Sequence, residues 1–150
     1  MDVIRGIENI PNDLYCAVVT IGNFDGIHLG HQLIIRRLVD EARREKCPAI
    51  VISFDPHPKM VLHPERRPFY LITSLEEKID LLAGLGVDTF ILIPFSLEYA
   101  RTTAEEFVRG VLVERLHIRK IIIGHDYTFG RGKEGNEALR SPCGLDRPHR

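Results

Sequence analysis

Four short apolar runs constrain this chain more than any other feature. They are Cys16-Ala17-Val18-Val19-Thr20-Ile21, Ala49-Ile50-Val51-Ile52-Ser53-Phe54, Thr89-Phe90-Ile91-Leu92-Ile93 and Lys120-Ile121-Ile122-Ile123. All are rich in β-branched residues and bounded by Gly or Pro. β-Branched side chains fit a pleated surface, and near-continuous apolarity marks strands covered on both faces. Between the runs the period changes to that of a helix. From His31 to about Lys46, residues Ile34, Ile35, Leu38, Val39 and Ala42 form one stripe, with Arg36, Arg37, Asp40, Glu41, Arg43 and Arg44 largely off it. From Ser74 to about Leu85, residues Leu75, Ile79 and Leu82 repeat at helical spacing, and Ser74 with Glu77 fits a capping box. Thr103 with Glu106 fits another, opening a helix that carries Phe107, Val108, Val111 and Leu112.

Strand, helix and strand in alternation predict an α/β domain, a doubly wound parallel sheet. Right-handed crossovers place the loops after the strands along one edge, where open α/β sheets bind ligands. Three chemically unusual segments follow strands, at residues 22–31, 55–68 and 124–135, and the fold brings them together.

Composition narrows the function classes. Twenty Lys and Arg against 21 Asp and Glu give a formal net charge of −1, which argues against a general nucleic-acid binder. No apolar run approaches the ~20 residues that span a bilayer, so no membrane partner is expected. The amino terminus lacks a basic region followed by an apolar segment, so no signal peptide is expected. The three cysteines, Cys16, Cys47 and Cys143, are odd in number and widely spaced, without a CxxC. Free thiols in a cytoplasmic protein are the expectation. Composition leaves the oligomeric state open.

The first segment, Gly22-Asn23-Phe24-Asp25-Gly26-Ile27-His28-Leu29-Gly30-His31, joins the first strand to the first helix. Its glycines permit a tight turn and close backbone approach to a ligand. His28 and His31 stand at the helix entrance, where free N–H groups and the positive end of the dipole receive anions. Imidazoles there can donate to a phosphate. Two other readings remain: a metal held by the two histidines with Asp25, and plain capping or solvated histidines. No third His or Cys lies nearby in sequence, and no metal ligand is assigned. Neither a dinucleotide GxGxxG nor a P-loop GxxxxGK[ST] occurs.

Read as G-x-F-D-G-h-H-x-G-H, with h apolar, residues 22–31 resemble the H-x-G-H signature of the nucleotidyltransferase superfamily. The extended string is similar to that of the FMN adenylyltransferase module of bacterial FAD synthetase. Phe54-Asp55-Pro56-His57-Pro58 resembles the same family's F-D-P-H-P stretch; two prolines make a stiff wall against which a flat ring could lie. Residues 124–136, Gly-His-Asp-Tyr-Thr-Phe-Gly-Arg-Gly-Lys-Glu-Gly-Asn, resemble the family's G-x-D-F-x-F-G loop, with Tyr127 and Phe129 able to pack on a ring. The resemblance covers roughly residues 14 to 139.

The resemblance implies a Rossmann-like nucleotidyltransferase fold and adenylyl transfer from ATP to FMN, giving FAD and pyrophosphate, with Mg²⁺ accompanying ATP. It implies that His28 and His31 contact ATP phosphates and stabilise developing charge. Gly22, Asn23, Phe24, Asp25 and Gly30 line the nucleotide site, and Pro56, Pro58, Asp126 and Phe129 face the flavin. The family's later Ser-Ser-Thr-x-x-Arg motif is not found, and neither is its riboflavin kinase module. We therefore expect a C-terminally incomplete domain over residues 1–140 and an unpatterned tail over 141–150. Two alternatives follow: a non-catalytic nucleotide- or flavin-binding fragment, and a sister nucleotidyltransferase with another phosphate acceptor.

Overall fold

The structure, a computed structural model, describes residues 1–14, 16–24, 29–55, 62 and 74–123. Its centre is a five-stranded parallel sheet in the order β1-β4-β3-β2-β5. The strands are β1 (Asp2–Arg5), β2 (Ala17–Ile21), β3 (Ala49–Asp55), β4 (Thr89–Pro94) and β5 (Ile118–Ile121). Three of the four expected runs form the centre. β2 is buried along its whole length, and β3 and β4 emerge only at their ends. Their burial on both faces explains why their sequences lack alternation.

Alternate residues point to opposite faces, and each face has its own core. One gathers Ala17, Val19, Ile21, Ile50, Ile52, Ile91 and Ile93 with Phe107, Val108, Val111 and Leu112. The other gathers Val18, Ala49, Val51, Phe90 and Leu92 with Ile35, Leu38, Ala42 and Leu82. Helix α1 (Leu29–Glu45) and helix α2 (Leu75–Gly84) supply the second face; α3 (Ala104–Phe107), continuing as a wider π-turn over Val108–Val113, supplies the first. The chain thus winds β2-α1-β3-α2-β4 in one direction, then crosses to the other side of β2 through α3. The reversal lies between β2 and β5.

Local chemistry sets the helix ends. Ser74 Oγ accepts from the Glu77 N–H at 3.1 Å while Glu77 Oε1 accepts from the Ser74 N–H at 3.3 Å, the expected capping box. Thr103 and Glu106 make the second such box. Both α1 and α2 close with the same carboxyl-terminal motif. In α2 the Val87 N–H reaches Leu82 O and Gly86, at φ 96°, takes the left-handed position. In α1 the Cys47 N–H reaches Ala42 O, and the left-handed position is held by Lys46 at φ 57°.

Three differences from the sequence reading have physical causes. β1 was not expected: it is an edge strand of four residues, exposed except at half-buried Ile4, so it carries no apolar run. β5 starts earlier than expected, at Ile118, because an edge strand tolerates Arg119 and Lys120. Lys120 Nζ meets buried Glu41 of α1 at 2.9 Å and Glu45 at 3.5 Å, binding that edge to the helix. Its pKa is raised by the hydrogen bond to Glu41. Third, the free-thiol expectation is corrected. Cys16 and Cys47 form a disulfide, their Cα atoms 5.5 Å apart. Spacing alone did not pair them; the parallel β2–β3 register brings their amino ends together. The tail over 141–150 lies outside the described residues. Among the described residues, no helix is long and apolar enough to cross a membrane.

Candidate functional site

The β2–α1 junction leaves the sheet at its carboxyl edge, beside the reversal of strand order. Gly22 prolongs the β2–β3 ladder by one bond, its N–H donating to Ile52 O at 3.0 Å. Its lack of a side chain serves packing. A Cβ there would meet Phe24 Cε2 at 2.8 Å and Cζ at 2.9 Å, so only glycine lets the Phe24 ring lie against the strand end. Phe24 itself sits at φ 51°, the left-handed region, and is only 5% exposed. That backbone costs about 1–2 kcal/mol for a residue with a Cβ, while burying the ring contributes about 1.5–3 kcal/mol. Burial of the Phe24 ring offsets the backbone cost of the kink.

Phe24 meets His31 edge to face, ring centroids 5.3 Å apart. His31 and Gly30 lie in the first turn of α1, at the positive end of the helix dipole. The Asn23 carbonyl accepts from Lys78 Nζ of α2 at 2.6 Å. The sequence reading missed Lys78. A signal existed: Lys78 lies three residues after Leu75 and four before Leu82, on the apolar stripe of α2, where a charge is out of place.

Polar groups collect under this junction. Thr20 Oγ1, Ser53 Oγ and Asn23 Oδ1 are buried with no hydrogen-bond partner among the described residues. Thr20 and Ser53 lie on the α1/α2 face of adjacent strands, at their carboxyl ends, and both residues are fully buried. Buried polar atoms are nearly always paired, so such a group calls for water or a ligand.

The opposite face carries an aromatic group at the same edge. Phe54, at the end of β3, packs against Phe95 at 5.7 Å, Tyr99 at 6.1 Å and Phe107 at 6.4 Å between ring centroids. Of these, Phe54 belongs to the Phe54–Pro58 stretch and Phe107 to the helix opened by Thr103, while Phe95 and Tyr99 carry no signal in the sequence. Burial pushes the Tyr99 phenol up to about 12, and its hydroxyl is buried without a partner among the described residues.

The structure therefore brings together Gly22, Asn23, Phe24, Gly30 and His31 of the expected site. Asp25, His28, Pro56, Pro58, Asp126 and Phe129 lie outside the described residues. Among the described residues, no group of His, Cys, Asp or Glu is placed to hold a metal ion.

Fold and junction together define a class: a Rossmann-like, doubly wound α/β domain whose β2–α1 loop stands at the topological switch point. The particular family follows from comparison. The chain belongs to the FAD synthetase family, whose sequence profile matches residues 10–145. It is 36% identical over 149 residues to the bifunctional riboflavin kinase/FMN adenylyltransferase of Escherichia coli strain K12, covering 97% of this chain and 47% of that protein. The protein of the same description from Buchnera aphidicola subsp. Acyrthosiphon pisum is 36% identical over 144 residues, 96% of this chain and 46% of the relative. A crystal structure described as a macrolide-efflux protein from Streptococcus pneumoniae superposes with a TM-score of 0.78 at 32% identity, covering 93% of this chain and 47% of that one. The chain thus spans about half the length of the curated relatives it matches.

Proposed function

We propose that this chain is an FMN-adenylylating module. A phosphate oxygen of FMN attacks the α-phosphorus of ATP, the bond to the departing pyrophosphate breaks, and FAD forms. The observation that carries this reading is that the family match spans the β2–α1 junction, where Gly22, Asn23, Phe24 and His31 converge on the carboxyl edge. Such a transfer asks little covalent chemistry of the protein; positioning and charge stabilisation do most of the work. In this reading Gly22, Asn23, Phe24, Asp25 and Gly30 line the ATP site, and His28 and His31 donate to its phosphates at the α1 entrance. Pro56, Pro58, Asp126 and Phe129 face the flavin. Mg²⁺ accompanying the ATP would neutralise phosphate charge; among the described residues no group of His, Cys, Asp or Glu is placed to hold it. The expected cytoplasmic location rested partly on free thiols, and the Cys16–Cys47 bond removes that support.

The test is FAD formation by the purified chain, followed by chromatography with ATP and FMN supplied together and singly. FAD that appears only with both substrates, and falls about 10²–10³-fold in His31→Ala and in His28→Ala, supports the reading. Equal rates in wild type and both variants reject the roles of the histidines. Binding of ATP and FMN without any FAD being formed rejects the transfer and leaves a binding role alone.

A further inference from the structure

Lys78 Nζ of α2 donates to the carbonyl oxygen of Asn23 in the β2–α1 junction, at 2.6 Å between residues 55 apart in sequence. The bond is short, partly buried and charge-assisted, so it belongs to the stronger kind of hydrogen bond. Its acceptor matters more than its strength. The Asn23 carbonyl belongs to the peptide that leads into Phe24, the left-handed residue of the junction. A trans peptide points its N–H opposite to its C=O. Drawing the Asn23 carbonyl toward α2 therefore aims the Phe24 N–H the other way and selects one of the two orientations this peptide can take. The donor is well fixed. Leu82, one turn further along α2, is fully buried, and the Ser74–Glu77 box locks the first turn. A cation on the apolar stripe of α2 loses hydration, and its polar contacts, this bond among them, compensate for that loss.

We propose that Lys78 is a positioning residue for the nucleotide loop: its bond to the Asn23 carbonyl holds the Asn23–Phe24 peptide in the orientation that receives the ATP phosphates. The inference rests on the nucleotide reading above and deepens it. Lys78 acts through Asn23 and Phe24, so its loss changes ATP affinity while the flavin side keeps its own.

The experiment compares wild type, Lys78→Met and Lys78→Arg as the full 150-residue chain. Hydrogen exchange of the ligand-free protein reads the tether directly. Lys78→Met exchanges faster in a peptide covering residues 19–24, while the β4 peptide covering 89–94 keeps its protection and reports an intact fold. Lys78→Arg, which keeps charge and donor, retains most of the protection. Titration with ATP and with FMN then reads the consequence: Lys78→Met weakens ATP roughly tenfold or more and leaves FMN unchanged. Unchanged exchange at 19–24 in Lys78→Met overturns the tether whatever ATP does. An equal loss for ATP and FMN, with β4 also deprotected, overturns it as well, since Lys78 would then be a general structural residue. Faster exchange at 19–24 in a chain whose wild type binds no ATP overturns the nucleotide reading instead.

Discussion

The rings of Phe24 and His31 meet edge to face, 5.3 Å apart, and join the end of β2 to the first turn of α1. The contact makes the direction of His31 depend on the conformation of Phe24. Phe24 in turn depends on Gly22, against which its ring lies. The candidate site is therefore built by packing as much as by hydrogen bonds.

Gly22→Ala tests that chain of dependence. The added methyl would stand 2.8 Å from the Phe24 ring, which is buried and has little room to withdraw. We expect a loss of about 1–3 kcal/mol, the usual range for overpacking, read from the urea midpoint. Phe24→Leu combined with Gly22→Ala should recover part of the Gly22→Ala loss, because a smaller side chain makes room. A Gly22→Ala midpoint equal to wild type would contradict the packing.

The Cys16–Cys47 bond predicts a reducible contribution to stability. It closes a loop with a sequence separation of 31 that contains β2, the candidate nucleotide loop and α1. Chain-entropy arguments give about 3–4 kcal/mol for a loop of that size. Thiol titration of the denatured chain should find one thiol before reduction and three after, since Cys143 is the remaining cysteine. The reduced chain, or Cys47→Ser, should melt several degrees lower. Three thiols in the unreduced chain would exclude the bond.

Much of the fold is legible in the sequence because its information is local. β2, β3 and β4 declare themselves as apolar runs, and the Ser74–Glu77 and Thr103–Glu106 boxes mark two helix starts within three residues of spacing. What escapes is decided by distant partners. β1 is a strand only because β4 offers it an edge, Asp2 opposite Thr89. The π-turn after Phe107 arises where Val108, Val111 and Leu112 all settle on the sheet, and the Glu114 N–H reaches back to Arg109 O. The Lys78–Asn23 bond and the cysteine pair span 55 and 31 residues. In the candidate site, residues 22–24 and 31 were legible through a motif, while their support from α2 was not.

Lys46→Gly should stabilise the chain. Lys46 occupies at φ 57° the left-handed position that closes α1, and Gly86 does the same for α2 at φ 96°. A residue with a Cβ costs about 1–2 kcal/mol there, and glycine returns part of that through its freer unfolded chain, about 0.5–1 kcal/mol. The net gain is roughly 0.5–1 kcal/mol, visible as a higher urea midpoint with an unchanged slope. A fall in the midpoint would mean that the Lys46 side chain contributes more than its backbone costs.

Tyr99 predicts an alkaline loss of stability with a definite sign. Burial raises its phenol from 10.0 to about 12, so the folded chain holds this proton more tightly than the unfolded chain. The contribution is complete below about pH 10 and is lost as pH rises from about 10 through 12, amounting to about 2–3 kcal/mol over the window. Tyr99→Phe removes the titrating group and also the buried hydroxyl that lacks a partner among the described residues. Near neutral pH the variant should be as stable as wild type or more so, by up to about 1–2 kcal/mol, since an unsatisfied polar group is exchanged for an apolar edge. Urea melts at pH 8 and pH 11 should then show the variant's advantage growing with pH, because wild type alone loses the Tyr99 contribution. Parallel losses in both proteins would show that the alkaline transition belongs to other groups, and a variant less stable at pH 8 would show that the hydroxyl has a partner in solution.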